Sequence, residues 1–286
     1  MRFLLLLLGA ALSAQDTRVV LLGTGTPNQD PDRSGPAVAV ISAGHVYIVD
    51  AGQGVVRRAA QAHIDLPQIT RAFITHLHSD HTVGLPDLML TPAVLGRSQP
   101  FEIYGPPGLQ KMVDHLLAAY EEDRNIRLHG LEPANPRAYD IHAHDVHRGE
   151  IYRDSTLRVT AIAVAHGSWK FAFAYRFDAA DKSIVISGDT TYSPALIHAA
   201  KGCDILVHEV YSQEGWKLRT PDWQRYHAAF HTSGPDLGRL AAQVRPRKLV
   251  LYHQLPMGQT PEEVVSEVKS RFSGEVIYGN DLDVIR

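Results

Sequence analysis

The sequence predicts a single α/β domain in which strands and helices follow one another in mixed order. The chain of 286 residues is 44% apolar, which allows one large buried core or two small ones, and its 21% charged fraction argues against disorder. Short β-rich runs bounded by glycine and proline alternate with helical stretches. No repeat of roughly 20 to 50 residues and no internal low-complexity linker divides the chain, so we expect one domain over residues 15–286.

The first fourteen residues have the layout of a signal peptide. Arg2 precedes an apolar run from Phe3 to Leu12, and small residues follow it up to Ala14. This run is shorter than the ~20 residues of a membrane-spanning helix, so we expect cleavage and an exported, periplasmic or secreted protein without stable membrane insertion. The single basic residue at the start leaves an uncleaved, membrane-associated leader as the alternative.

The net charge bears on the possible binding partners, and the cysteine content bears on what stabilises the fold. The formal charge is −3, and without the first fourteen residues, which contain Arg2 and no acidic residue, it would be −4. Such a chain is not built to hold a polyanion by bulk attraction, so a nucleic-acid partner is disfavoured. The lone Cys203 can form no internal disulfide, so the core and any bound metal must hold the fold.

In the first half of the chain, the predicted strands are short, β-rich runs punctuated by glycine and proline. The run that ends at Thr75 is predicted to be buried and to lead directly into a cluster of histidines. The predicted order is strand Arg18–Thr24, strand Ala37–Ser42, strand Val46–Gly52, helix Gly54–Ala62, strand Arg71–Thr75 and helix Val83–Val94.

The second half repeats this alternation of strands and helices. Its strands are strongly apolar, and the helix that begins at Pro107 is amphipathic. The predicted strands are Phe101–Gly105, Leu157–Gly167, Phe171–Asp178, Lys182–Asp189, Cys203–Val210 and Lys248–Gln254, and the predicted helices are Pro107–Glu122, Ser233–Val244 and Pro261–Phe272.

The stretch FITHLHSDHTVGL, residues 73–85, contains four potential metal ligands: His76, His78, Asp80 and His81. Strand alternation points His76 and His78 the same way as the chain leaves the sheet, whereas the other two must turn elsewhere. Imidazole and carboxylate together suit Zn²⁺ or a neighbouring first-row ion better than Ca²⁺. A stretch this compact cannot complete two four-coordinate shells, so other segments must supply the remaining ligands.

Three more candidates stand directly after buried apolar runs. His166 ends AVAH, Asp189 follows ISG, and His253 follows LVLY. Taken singly, each is better explained as a strand-terminal residue with satisfied hydrogen bonds. Taken with the four-residue cluster, a shared metal site is the better explanation.

These motifs, in this order, resemble the metallo-β-lactamase superfamily and, more narrowly, its ribonuclease Z-like branch. The similarity runs from residue 19 to residue 254 and rests on LGTGTP with Arg33, VDAGQG, THLHSDHTVGLP, YGPPGL, VAHG, SGDTTY, LVHEVY, HTSGPDLGRLA and LVLYHQ. The resemblance implies a four-layer αββα sandwich of two mixed β-sheets flanked by helices, with two Zn²⁺ ions, or Mn²⁺ or Fe²⁺ instead, at one edge. It assigns one ion to His76, His78 and His166, the other to Asp80, His81 and His253, and the bridging position to Asp189.

The resemblance also implies a mechanism. Two ions roughly 3.5 to 4 Å apart can share a water as a bridging hydroxide and clamp the attacking and leaving oxygens of a phosphodiester. Glu209 and His231 match a pair in which the carboxylate orients an imidazole that protonates the leaving oxygen, and Asp80 would also accept a proton from the water. The alternative for His231 is a residue that merely precedes the helix caps Thr232 and Ser233.

No metal-binding or catalytic role is predicted for the other histidines. The segment IHAHDVHRGE has the residue types of a metal site, but in a different order and without a predicted buried strand, so we expect solvated loop histidines there. Strand alternation points His208 away from Glu209, which favours a structural role. No function is assigned to the remaining histidines, which are His45, His63, His115, His129, His198 and His227.

An aromatic segment lies between two predicted strands and immediately before His231. Its residues Trp216, Trp223 and Tyr226 either line the substrate mouth as a lid or belong to a loop packed on the sandwich. The sequence does not decide between these two interpretations.

The predicted function is a metal-dependent hydrolase of a small phosphodiester or ester. Transfer-RNA 3′ processing is disfavoured by the predicted export, by the acidic charge and because no long basic Gly- and Pro-rich insertion resembles the transfer-RNA arm of that branch. A sulfuric ester, a lactone or a β-lactam remains an alternative substrate, although β-lactamases mostly lack the bridging Asp. A silent binding protein is disfavoured because all seven ligand positions are filled, and the resemblance favours a homodimer.

Overall fold

The computed structural model describes residues 16–28 and 30–286, so the predicted leader lies outside the described residues. These residues form two seven-stranded sheets that pack face to face, with helices on the outer face of each sheet. The predicted αββα arrangement of two mixed sheets is confirmed. No helix in residues 16–28 and 30–286 is long and apolar enough to cross a bilayer.

The first sheet has the strand order β14-β1-β2-β3-β4-β5-β6. Its strands are antiparallel from β14 to β3 and parallel from β3 to β6. The strands are β1 (Arg18–Gly23), β2 (Ala37–Ser42), β3 (His45–Val49), β4 (Ile69–Phe73), β5 (Phe101–Gly105), β6 (Ile141–Asp145) and β14 (Val284–Ile285).

The second sheet has the order β13-β12-β11-β10-β9-β8-β7. It is antiparallel from β7 to β10 and parallel from β10 to β13. The strands are β7 (Gly149–Arg153), β8 (Leu157–Ala163), β9 (Phe173–Ala179), β10 (Ser183–Ile186), β11 (Ile205–Tyr211), β12 (Lys248–Leu255) and β13 (Val276–Tyr278).

The helices that form the two outer layers bury one apolar face against a sheet. In the helix that follows the aromatic segment, Leu237, Leu240, Ala241 and Val244 form that face, and the Ser233 hydroxyl caps its start. The helices are α1 (Val55–Gln61), α2 (Ser79–Thr82), α3 (Leu85–Val94), α4 (Leu109–Ala119), α5 (Glu121–His129), α6 (Pro194–Ala200), α7 (Gln213–Lys217), α8 (Pro221–Phe230), α9 (Gly234–Val244) and α10 (Pro261–Lys269).

The segment IHAHDVHRGE, residues 141–150, is not the solvated loop that the sequence predicts. Its first five residues form β6, the edge strand of the first sheet, because Ile141 and Ala143 alternate inward and bury one face. His142 and His144 are half exposed on the other face and both contact the Glu102 carboxylate, at 2.9 and 2.6 Å. Asp145 accepts hydrogen bonds from backbone N–H groups at the start of α4. These residues stabilise an edge and stand outside the two metal-ligand groups.

The aromatic segment forms two helices, α7 and α8, that the sequence did not predict. The predicted helix over residues 83–94 begins later than expected and is preceded by α2, a separate single turn that contains Asp80 and His81. That turn is what separates these two side chains from His76 and His78.

The core between the sheets is rich in aromatic rings around Phe73, which is fully buried at the end of β4. Its ring lies 5.3 Å from the Tyr104 ring, 5.5 Å from Phe177 and 5.8 Å from Tyr175, measured between centroids. Phe73 belongs to one sheet, whereas Phe177 and Tyr175 belong to the other, so this ring joins the two layers.

Replacing Phe73 by alanine should therefore destabilise the domain strongly. We expect a loss of about 3–5 kcal/mol in the free energy of unfolding, measured in urea, because the packing between sheets cannot collapse around the missing ring. Leu131→Ala, at a fully exposed side chain, is the control and should change it by about 0.5 kcal/mol or less. Equal effects of the two substitutions would contradict this account of the core.

Candidate metal centre

The seven predicted ligands converge at one edge of the sandwich, beyond the ends of strands from both sheets. They form two groups whose donor atoms lie within 4.8 Å of one another within each group. Strand β4 leads into the first cluster, β8 leads towards His166 and β10 leads towards Asp189. The first group is His76, His78, His166 and Asp189, and the second is Asp80, His81 and His253.

A β-bulge directs His253 into the site. Glu209 on β11 pairs with Tyr252 and Val210 pairs with Gln254, so His253 is the extra residue of β12. Its φ of 43° lies in the left-handed region that side chains rarely adopt. Because of this bulge, His253 does not follow the alternation of side chains between the two faces of the sheet. Its Nε2 lies 3.2 Å from Asp80 Oδ2.

Gly188 allows the Asp189 loop to approach the histidine cluster. It has a φ of 57°, and a Cβ there would lie 2.7 Å from Thr75 Cβ and 2.9 Å from the Phe173 carbonyl oxygen. A side chain at this position would therefore push Asp189 away from His76, which follows Thr75 directly.

Three imidazole nitrogens meet in the first group. His78 Nδ1 lies 3.0 Å from His76 Nε2 and 3.1 Å from His166 Nε2. A single hydrogen on His78 Nδ1 can point at only one of these two nitrogens, so at least one pair of lone pairs faces each other. A cation at this position would satisfy all three.

Hydrogen bonds behind the rings determine which nitrogens face inward. His76 Nδ1 lies 3.0 Å from the Thr75 hydroxyl, which itself donates to Asp50, so His76 Nδ1 is the donor and Nε2 keeps its lone pair. His166 Nδ1 likewise donates to the Phe230 carbonyl at 2.7 Å. Both rings are thereby set with Nε2 facing His78.

Trp169 completes the surroundings of His78. Its indole N–H donates to His78 Nε2 at 2.8 Å and holds the ring with Nδ1 towards the other two histidines. A neutral His78 that bound an ion through Nδ1 would carry its hydrogen on Nε2. Metal binding would then turn this nitrogen from an acceptor into a donor, and the Trp169 contact would have to rearrange.

Asp189 connects the two groups. Its Oδ2 lies 3.8 Å from His76 Nε2 and from His166 Nε2 in the first group. The same oxygen lies 3.5 Å from His81 Nε2 and 3.6 Å from His253 Nε2 in the second. Its other oxygen is buried and has no hydrogen-bond partner among the described residues. The carboxylate therefore lies between the two groups, within 3.8 Å of nitrogens in both.

The protonation of the first group suits metal binding. Burial lowers the pKa of His76 well below its ordinary value and lowers the pKa of His78 and of His166 to about 4. Burial would raise the pKa of Asp189, but His253 and His81 hold it well below its usual range. The three rings are thus neutral while the carboxylate is ionised, which are the forms that bind a metal ion.

In the second group, carboxylates oppose the effect of burial. Burial lowers the pKa of His81, but Asp189 and Asp50 outweigh it and raise the pKa well above its ordinary value. Burial also opposes protonation of His253, but Asp189 and Asp80 outweigh burial and raise the pKa of this ring. The cluster thus balances its negative charge with protons, and a bound cation would replace them.

Asp50 is a part of the site that the sequence did not predict. Its carboxylate accepts hydrogen bonds from the Thr75 backbone and hydroxyl, and it accepts the Nδ1 hydrogen of His81 at 2.8 Å. Like His253, Asp50 is a non-glycine residue in the left-handed region, with a φ of 60°. The available signal was its position directly after the apolar strand in VDAGQG.

Glu209 and His231, the pair to which the resemblance assigns proton transfer, lie beside Asp189. Glu209 Oε2 is 3.3 Å from His231 Nδ1, and Glu209 Oε1 accepts a hydrogen bond from the Thr232 backbone. Burial and Asp189 raise the pKa of Glu209 well above its usual range, and burial lowers the pKa of His231 to about 4. The pair therefore keeps a proton on Glu209 next to a neutral imidazole. His208 instead contacts the Glu209 carbonyl oxygen at 2.7 Å inside the fold.

A cavity of about 560 Å³ opens over the two groups, and Trp223 and Tyr226 of α8 line it. The Trp216 indole does not line it, because it donates to the Gln224 carbonyl at 2.9 Å. His227, to which the sequence assigned no role, lies in the cavity wall. Of the three aromatic residues considered as a lid, Trp223 and Tyr226 therefore form part of the cavity wall over the site.

The donor set fits a pair of divalent first-row ions. Five imidazoles and two carboxylates face one another in a buried space, and His81 Nε2 has no hydrogen-bond partner among the described residues. Such a mixture of nitrogen and carboxylate ligands is typical of zinc and neighbouring metals.

Comparisons with known proteins agree with this fold. The profile of the Beta-lactamase superfamily domain matches residues 45–254. A protein named Ribonuclease Z from Mycobacterium marinum is 30% identical over 270 residues, which cover 92% of this chain and 96% of that protein.

Two solved structures have the same fold. The metallo-beta-lactamase fold protein YhfI from Bacillus subtilis aligns with a TM-score of 0.70 at 17% identity, and human tRNase Z, short form, aligns with a TM-score of 0.68 at 24% identity. Both alignments cover 94% of this chain and 98% of the other. Together with the profile and the Ribonuclease Z relative, they lead to one conclusion: the chain belongs to the metallo-β-lactamase superfamily, resembles its ribonuclease Z members, and is a metal-dependent hydrolase.

Proposed function

We propose that this protein is an exported dinuclear zinc hydrolase that cleaves a phosphodiester bond in a small molecule. The observation that carries the proposal is the position of Asp189 Oδ2, which lies within 3.9 Å of nitrogens in both ligand groups and of His231. A shared carboxylate beside a proton-carrying pair suits a reaction in which an oxygen attacks and another leaves. The relative named Ribonuclease Z supports the phosphodiester bond.

The two ions would be held by the two groups, with Asp189 common to both. When bound, a pair of divalent ions lowers the pKa of a water and offsets the negative charge of a phosphodiester. Zinc is proposed over manganese or iron because five of the seven donors are imidazoles. Asp80, whose Oδ2 lies 3.2 Å from His253 Nε2, would help to hold one ion and would accept a proton from the attacking water.

Glu209 and His231 would deliver the second proton. As water adds to phosphorus and the P–O bond to the alcohol breaks, the leaving oxygen takes the hydrogen from His231 Nε2. The Glu209 proton then passes to His231 Nδ1, 3.3 Å away, and leaves Glu209 as a carboxylate. His231 lines the cavity, which allows contact with the substrate.

A small substrate is proposed from the walls of the site. Trp223 and Tyr226 confine the cavity over the ligand groups to about 560 Å³, which is the size of a typical small-molecule site. The end of an RNA chain is the second candidate, because the relative at 30% identity is named Ribonuclease Z. A sulfuric ester, a lactone and a β-lactam are further alternatives for the same site.

A substrate panel should separate these bonds. We expect the purified mature protein to hydrolyse bis(p-nitrophenyl) phosphate in preference to p-nitrophenyl sulfate, a lactone and nitrocefin, because the ligand groups and the proton-carrying pair suit a phosphodiester. Turnover of nitrocefin alone would contradict the proposal. A precursor transfer RNA with a 3′ extension completes the panel. A kcat/KM far higher for this RNA than for bis(p-nitrophenyl) phosphate would favour the second candidate, the end of an RNA chain.

Metal content and its dependence on Asp50 can be measured directly. Protein prepared without chelators should contain about two zinc ions per chain. Asp50→Asn should weaken zinc binding about 10–100-fold in competition with a chelator, because Asn cannot hold both the Thr75 and His81 hydrogens equally well. The control is Asp154→Asn, whose carboxylate instead accepts the hydroxyls of Tyr47 and Tyr152 between the sheets. Metal-free wild-type protein, or equal affinities of the two variants, would contradict the assignment.

Substitution of His231 tests its proton-transfer role. His231→Ala should lower kcat for bis(p-nitrophenyl) phosphate about 10²-fold or more, because the leaving oxygen loses its proton donor. Zinc content should be unchanged, since the seven ligands remain. His142→Ala, on the edge strand, is the control and should keep both properties. Normal turnover in His231→Ala would remove this residue from the mechanism.

A further inference from the structure

Two cavities adjoin each other beside the metal centre, and their arrangement indicates which groups a substrate could carry. The metal-side cavity, described above, contains Asp189 and His231 in its wall. A side cavity of about 530 Å³ adjoins it and is lined by Arg33, Gln254 and Tyr278, among others. The two cavities share four lining residues, which are Asn28, Arg219, His227 and Leu255.

Arg219 is the cation at this junction. It is exposed, and no carboxylate among the described residues lies within ion-pair distance of its guanidinium. Its neighbours differ: Lys217 pairs with Glu214 at 2.7 Å, and Arg225 pairs with Asp222. The positive charge of Arg219 is therefore available to a ligand that reaches both cavities.

The backbone around Arg219 is well anchored. Its N–H donates to the Trp216 carbonyl at 3.0 Å, and its own carbonyl accepts the Gln224 side-chain amide at 3.0 Å. Its guanidinium is close enough to His227 to contribute, after burial and His231, to lowering the pKa of that ring to about 4. The neutral ring adds no second positive charge beside Arg219.

The other arginine of the side cavity is already engaged. Arg33 donates to the Thr24 hydroxyl at 3.1 Å and to the Gln254 amide oxygen, and its guanidinium lies 5.5 Å over the Tyr278 ring. Asp30 lies 3.9 Å from Arg33 and also lines this cavity. An anion entering the side cavity would therefore find its free positive partner at the junction rather than at Arg33.

We infer that Arg219 binds a second anionic group of the substrate, so that the substrate is a phosphodiester bearing a further phosphate or carboxylate. This inference rests on the proposed function for the position of the scissile bond. The scissile phosphate would lie at the ligand groups in the metal-side cavity, and the second anion would lie at the entrance to the side cavity. Arg219 would then determine specificity without taking part in bond cleavage.

Matched substrates test this role. Thymidine 5′-(p-nitrophenyl phosphate) carries one negative charge, and its 3′-phosphorylated and 3′-O-carboxymethyl derivatives carry a further anionic group of each class. Arg219→Gln should lower kcat/KM for the doubly anionic substrates about 10–100-fold, mainly through KM, and change it less than about threefold for the singly charged one. Arg219→Lys should restore part of the loss, and Lys217→Gln, which removes a paired charge nearby, should change neither.

A binding measurement separates failure of this inference from failure of the proposed function. By calorimetry, the zinc-loaded protein should bind thymidine 3′,5′-bisphosphate more tightly than thymidine 5′-monophosphate, and Arg219→Gln should abolish the difference. If no substrate is cleaved but this preference persists and depends on Arg219, the phosphodiesterase proposal fails and the anion site remains. If Arg219→Gln affects all ligands equally, or none, the anion site is refuted.

Discussion

One buried carboxylate oxygen is the constraint on which the site depends. Oδ2 of Asp189 lies within 3.9 Å of nitrogens from five histidines, which come from four separate segments of the chain. A carboxylate that loses its hydration is stable only when nearby groups compensate its charge. The bulge in β12 and the turn of α2 bring compensating groups to this atom, and the close approach at Gly188 brings the atom itself to the histidine cluster.

Much of this arrangement follows from the local sequence. The spacing in HLHSDH was enough to separate two ligand pairs, because His76 and His78 precede the helical turn that contains Asp80 and His81. Polar residues after apolar strands pointed to His166, Asp189 and His253. The layered fold was expected from the family resemblance, since neither periodicity nor composition determines how two sheets stack.

The features that the sequence did not reveal depend on contacts between distant segments. Asp50 looks like an ordinary strand-end residue until His81 and Thr75 lie beside it. The sequence predicts a loop at His142 and His144 because alanine gives only a weak apolar alternation there. Their pairing with Glu102 is a contact with the neighbouring strand. Trp216 and Trp223 could not be distinguished, because packing alone decides which indole faces the cavity.

The left-handed backbone at His253 carries a further consequence. A side-chain-bearing residue in this conformation costs on the order of 1–3 kcal/mol, whereas glycine adopts it freely. The sandwich needs only the bulge there, and glycine would form it with less strain. Selection for heat resistance alone would therefore favour glycine at this position and would lose an imidazole from the centre, so thermal robustness and chemistry compete at a single residue.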